Sequence, residues 1–77
     1  MPEVTVYTTP SCPWCNRLKD FLRARGVAFA EVDVSRDPAA ARRLVELTGE
    51  RSVPVTIAGG HTIVGFDREE LERLFPA

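Results

Sequence analysis

Almost nothing in this sequence is in excess, and its shortages are informative. Ten Lys and Arg stand against eleven Asp and Glu, a formal net charge of −1. No basic stripe dominates any segment, so nucleic acid is not an expected partner. No stretch approaches the roughly 18 apolar residues of a membrane span, so no membrane association is expected. Met1-Pro2-Glu3 has neither the basic segment nor the apolar segment of a secretory leader, and a cytoplasmic location is expected. Histidine occurs once, at His61, and cysteine twice, at Cys12 and Cys15. These fall short of the about four ligands of a structural zinc site. A disulfide between the two cysteines would close so short a loop that it could barely constrain the unfolded chain. A lone structural disulfide is also out of place in a reducing compartment. If the pair oxidises, chemistry is the better reason.

What is present reads as one small domain over residues 1–77, expected to be a monomer. Val4 to Thr8 is β-branched and aromatic, which favours a strand. Thr9-Pro10-Ser11 breaks it. Trp14, Cys15, Leu18, Phe21 and Leu22 then recur at helical spacing from Pro13 to Arg25. Pro13 suits the first helical position and Gly26 the position past the helix end. Phe29 to Val34 alternates, with Glu31 and Asp33 directed outward as a half-exposed strand. Asp37-Pro38 opens a second helix carrying Ala41, Leu44, Val45 and Thr48 on one face, and Gly49 ends it. Pro54 to Ala58 and Thr62 to Val64 flank Gly59-Gly60-His61, a hairpin signal with His61 in the turn. Asp67 begins a last helix, with Asp67 and Glu70 as a capping pair and Leu71, Leu74 and Phe75 as its buried stripe. The order β-α-β-α-β-β-α implies an α/β fold with a four-stranded mixed sheet flanked by three helices.

The chemistry converges on Cys12-Pro13-Trp14-Cys15. Cys12 falls at or beside the start of the first helix, where backbone N–H groups and the positive end of the helix dipole favour a thiolate. Cys15 lies one turn further in, less exposed and less ionised. A Cys-x-x-Cys pair beside a β-α-β unit is the pattern of a thioredoxin-like redox site. The asymmetry assigns roles: Cys12 attacks a substrate disulfide, and Cys15 attacks the mixed disulfide that results. Between the cysteines Trp14 is expected at the mouth of the site. Arg42-Arg43 and His61 are expected to be solvated.

Val6 to Cys15, Ser52-Val53-Pro54, Gly59-Gly60 and Val64-Gly65-Phe66-Asp67 together resemble the glutaredoxin family. The likeness is closest to the short bacterial glutaredoxin-like redoxins, including the mycoredoxin type and the type that donates to ribonucleotide reductase. The resemblance implies a thioredoxin fold, with Thr9, Pro10, Ser11 and Pro13 as the active-site loop. It implies a cis Val53–Pro54 bond set against Cys12, with Val53 and Pro54 docking the substrate beside Trp14. It implies that Gly65, Phe66 and Asp67 hold the γ-glutamyl end of a thiol such as glutathione; by its residues alone Asp67 equally suits a plain helix cap. Three departures bear on the thiol. Thr9 stands where many glutathione-using members have lysine, Val64 precedes Gly65 where they have a second glycine, and Trp14 replaces their usual tyrosine.

The function expected is therefore dithiol reduction of protein or mixed disulfides, with no cofactor beyond the Cys12–Cys15 couple. The electron donor would be glutathione, another low-molecular-weight thiol, or thioredoxin reductase. The alternative is a module that binds a metal or an iron–sulfur cluster through Cys12.

Overall fold

The computed structural model describes residues 3–76. Met1 and Pro2, read above as lacking leader character, lie outside the described residues, as does Ala77. The elements are β1 (Val4–Thr8), α1 (Pro13–Ala24), β2 (Ala30–Asp33), α2 (Pro38–Thr48), β3 (Val55–Ala58), β4 (His61–Val64) and α3 (Arg68–Leu74). They form a four-stranded sheet in the order β2-β1-β3-β4. β1 runs parallel to β2 and antiparallel to β3, and β3 and β4 are antiparallel. The expected mixed sheet and element order are both present.

The two faces of the sheet follow from the period-two alternation of a strand. Val4 and Val6 of β1 point to one face and pack with Leu18 and Leu22 of α1, Ile63 of β4, and Leu71 and Phe75 at the end of the chain. Tyr7 points to the other face and packs with Val55 of β3 and with Ala40 and Leu44 of α2. Hence α1 and α3 share one side, and α2 covers the other. The C-terminal end of β1 lies between these layers and delivers the chain to the first cysteine.

The helix ends follow their local chemistry. After α1, the Gly26 N–H donates to the Arg23 carbonyl at 3.0 Å and the Val27 N–H to the Leu22 carbonyl at 2.9 Å. This is a Schellman closure. Asp37 Oδ1 accepts from the Ala40 N–H at 3.1 Å and starts α2.

Three expectations need correction. His61 is not in the hairpin turn but pairs with Ala58 as the first residue of β4. Gly59 and Gly60 have φ of 50° and 83°, and a two-residue turn with both central φ positive leaves nothing else in the loop. The buried face of α2 centres on Ala40 and Leu44, while Val45 is 36% exposed. Ala39, Ala40 and Ala41 are equivalent in hydrophobicity, so the pattern did not fix which of them faces inward. Finally, Asp67 Oδ1 accepts from the Glu70 N–H at 3.3 Å, but the Glu70 carboxylate pairs with Arg73 at 2.7 Å. The cap is one-sided, because Arg73 one turn on offers Glu70 a charged partner.

Candidate active site

Both cysteines are free thiols at the start of α1. The Thr9-Pro10-Ser11 turn closes with the Cys12 N–H donating to the Thr9 carbonyl at 3.4 Å. Cys12 is the helix N-cap, with extended backbone (φ −100°, ψ 106°), and its Sγ accepts from the Cys15 N–H at 3.1 Å. A sulfur here does the work of a serine or aspartate oxygen, satisfying one of the orphan N–H groups of the first turn. Pro13 at the first helical position brings no N–H of its own. Cys12 is partly exposed and Cys15 fully buried.

A second segment, leading into the neighbouring strand β3, closes the site at the same end of the sheet. The Val53–Pro54 peptide bond is cis, as the resemblance implied. The Cys12 thiol points to the Val53 carbonyl, with Sγ and O 4.0 Å apart. The Gly65 N–H donates to the Pro54 carbonyl at 2.7 Å, which ties the entry to α3 onto the same turn. Trp14, Val53, Pro54, Gly65 and Phe66 line a cavity of about 230 Å³. The Trp14 and Phe66 rings stack with centroids 6.0 Å apart, and Phe21 meets Phe66 edge-on at the same separation. Trp14 is 52% exposed, and the Arg17 guanidinium covers its ring at 4.7 Å. Asp67 lies next to this cavity in sequence but not among its lining residues; its carboxylate caps α3. Arg42, Arg43 and His61 are exposed.

A larger apolar groove of about 900 Å³ lies at the opposite end of β1, between Val4, Phe29, Ala58 and Phe75. It holds neither thiol, so its size does not make it the reactive site. Among the described residues no group of three His, Cys, Asp or Glu side chains could hold a metal ion, and no helix is long and apolar enough to cross a membrane.

Burial pushes Cys15 up to about 12, and its contact with the Cys12 sulfur adds to the effect. A backbone hydrogen bond at Thr9 and the charge of Lys19 work the other way. Sequence reasoning passed over Lys19. Its signal was the spacing: it is the only lysine in the chain and lies four residues beyond Cys15, on the same helical face. Its side chain is only 16% exposed, and its ammonium sits 2.9 Å from Glu31 Oε2. The Thr8 hydroxyl donates to that same oxygen at 2.8 Å. The Lys19 and Thr8 hydrogen bonds hold the Glu31 carboxyl below the usual carboxylate range.

The raised Cys15 value has a consequence for stability. An unfolded cysteine ionises near pH 8.5, whereas the folded thiol holds its proton until about pH 12. The contribution is therefore complete below about pH 8.5 and is lost as pH rises toward the folded value. Reduced protein should lose about 2 kcal/mol of stability by about pH 10 through this thiol alone. Cys15→Ser should lack that component in denaturant melts run from neutral to alkaline pH; identical alkaline slopes would contradict it.

A family model for glutaredoxins matches residues 4–63. The glutaredoxin-like protein NrdH of Escherichia coli K12 is 38% identical over 75 residues, covering 97% of this chain and 91% of the relative. An uncharacterized glutaredoxin-like 8.6 kDa protein from the rubredoxin operon of Clostridium pasteurianum is 34% identical over 71 residues, covering 92% and 95%. Among solved structures, the Escherichia coli NrdH-redoxin, described for its thioredoxin-like activity profile, superposes with a TM-score of 0.86 at 37% identity over 97% of both chains. The glutaredoxin of Archaeoglobus fulgidus superposes with a TM-score of 0.88 at 28% identity, covering 100% of this chain and 89% of the other. A thioredoxin fold with two adjacent thiols at the head of its first helix, matched over nearly its whole length, places this chain in the glutaredoxin family of thiol–disulfide oxidoreductases.

Proposed function

We propose that this protein reduces disulfide bonds of protein substrates by dithiol exchange, drawing its electrons from thioredoxin reductase. The observation that carries the reading is the pairing of a partly exposed Cys12 sulfur with a fully buried Cys15 directly behind it. The Cys12 thiolate attacks one sulfur of the substrate disulfide, and the other sulfur leaves as a thiolate. Cys15, after losing its proton to water, attacks Cys12 Sγ. The Cys12–Cys15 bond forms, and the second substrate sulfur departs as thiolate. The substrate has gained two electrons, and the protein has lost them.

Docking uses the surface beside Cys12. An extended substrate segment lies along Val53 and forms backbone hydrogen bonds in the manner of an added strand. One of its side chains enters the cavity walled by Trp14, Pro54, Gly65 and Phe66. A cavity of about 230 Å³ suits a single side chain rather than a larger ligand. Glutathione or another low-molecular-weight thiol is the competing donor. Thr9 offers no cation for a glutathione carboxylate, Asp67 is already engaged in its own helix cap, and the NrdH-redoxin of Escherichia coli is thioredoxin-like in activity. All three favour the reductase.

A coupled assay with a protein disulfide as substrate tests both parts. NADPH should be consumed rapidly with thioredoxin reductase and at least about tenfold more slowly with glutathione plus glutathione reductase. The reverse order would overturn the choice of donor. No turnover with either would overturn the function.

A further inference from the structure

Buried in the helix behind Cys12, the Cys15 thiol must give up its proton before it can attack. The groups that act on it are few. Cys12 and Lys19 come from its own helix, and the Thr9 backbone comes from the β1–α1 turn. Glu31, on β2, is tied to Lys19, and Arg23, one turn further along α1, acts on Glu31. Lys19 stands four residues beyond Cys15 on α1, so it brings a positive charge to the thiol's side of the helix. It does not wave in solvent. Its side chain is 16% exposed, its ammonium is held at 2.9 Å by Glu31 Oε2, and the fully buried Thr8 holds that oxygen at 2.8 Å.

We propose that Lys19 is a positioning residue for the resolving thiol: its ammonium, anchored by Glu31 and Thr8 from a position one turn beyond Cys15 on the same side of α1, holds a fixed positive charge and sets the pH at which the second exchange step runs. This rests on the reading of Cys15 as the resolving cysteine. The charge favours the Cys15 thiolate that forms as the proton leaves for water, whereas Glu31 tempers it. A lysine free to swing into solvent would be screened and would contribute little. The Lys19–Glu31–Thr8 chain therefore reaches solvent at Glu31, whose side chain is 38% exposed, but is anchored in the core at Thr8.

The two steps can be timed separately with dithiobis(nitrobenzoate). Attack by Cys12 releases one coloured nitrothiolate and leaves the other on Cys12; attack by Cys15 releases the second. In stopped-flow mixing at neutral pH, Lys19→Met should slow the second release about three- to tenfold and move its pH profile up by about half to one unit. Lys19→Arg, which keeps the charge, should restore most of the rate. Glu31→Gln keeps one acceptor oxygen for Lys19 and Thr8 and removes the opposing charge, so it should move the profile down. The first release should be unchanged in all three. An unmoved profile in Lys19→Met would overturn the proposal. So would Lys19→Arg behaving like Lys19→Met, or an equal shift in both releases. Cys15→Ser separates this from the reading beneath it: if that variant still gives a second release, Cys15 is not the resolving thiol, whatever Lys19 does.

Discussion

Cys12→Ser should lower disulfide reductase turnover by at least about 10³-fold, the scale of losing a covalent nucleophile whose replacement does not ionise near neutral pH. The fold should survive. Cys12 caps α1 through a side-chain acceptor to the Cys15 N–H, and serine is among the best residues for that position. Melting temperature is thus expected to stay close to that of the parent, which separates lost chemistry from lost structure. Cys15→Ser has a different signature. The first exchange proceeds, and a mixed disulfide with the substrate accumulates for want of a resolving thiol. Mass spectrometry after mixing with a protein disulfide should find the adduct on Cys12 in Cys15→Ser and no adduct in Cys12→Ser. A Cys12→Ser protein that retained reductase activity would show that the roles are reversed.

The second large effect lies outside the thiol pair, in the core beneath it. Leu71 is the only buried residue within α3, a helix of seven residues from Arg68 to Leu74. So short a helix has no stability of its own and exists because one face is buried. Leu71→Ala removes that anchor from the cluster formed with Val6, Leu22 and Ile63. The cost should be about 3 kcal/mol, which in a domain of this size lowers the melting temperature by about 12–24 °C. Activity should fall further than the folded fraction alone accounts for. Gly65 and Phe66 lead into α3, and Phe66 supplies one wall of the cavity next to Trp14. Thermal denaturation read beside turnover at a temperature where the variant is folded makes the comparison. Undiminished turnover there would show that α3 does not hold Phe66 in place.

The site was legible in the sequence where it depends on neighbours along the chain. The Cys12 cap, the Pro13 start and the burial of Cys15 all follow from positions within one helical turn. The order of elements was legible for the same reason, since β-branched runs, caps and glycine stops are local signals. The Val53–Pro54 turn was not. Nothing near Pro54 distinguishes a cis bond from the start of an edge strand, and only the family resemblance supplied it. The Lys19–Glu31 pair was harder still. It joins α1 to β2 across a parallel crossover, and Glu31 read as one more outward-facing acid in an alternating strand. The α2 register failed because three consecutive alanines carry no information about direction. The hairpin pattern starts the last strand at Thr62, one residue late, because it reads three turn residues where two glycines suffice and β4 begins at His61.

The sulfur that caps α1 also ties redox state to fold stability. In the dithiol form Cys12 Sγ accepts the Cys15 N–H at 3.1 Å and so helps to hold the first turn of the helix. Once that sulfur is bonded to Cys15 Sγ, the S–S geometry draws it away from its place over the Cys15 N–H, so the first turn is held less firmly. Folding and reduction are then two sides of one thermodynamic square. Whatever the cap adds to the stability of the dithiol form appears as a more oxidising potential, at about 30 mV for each 1.4 kcal/mol. Substitutions that loosen or tighten the head of α1 should tune the potential of this protein without touching either cysteine.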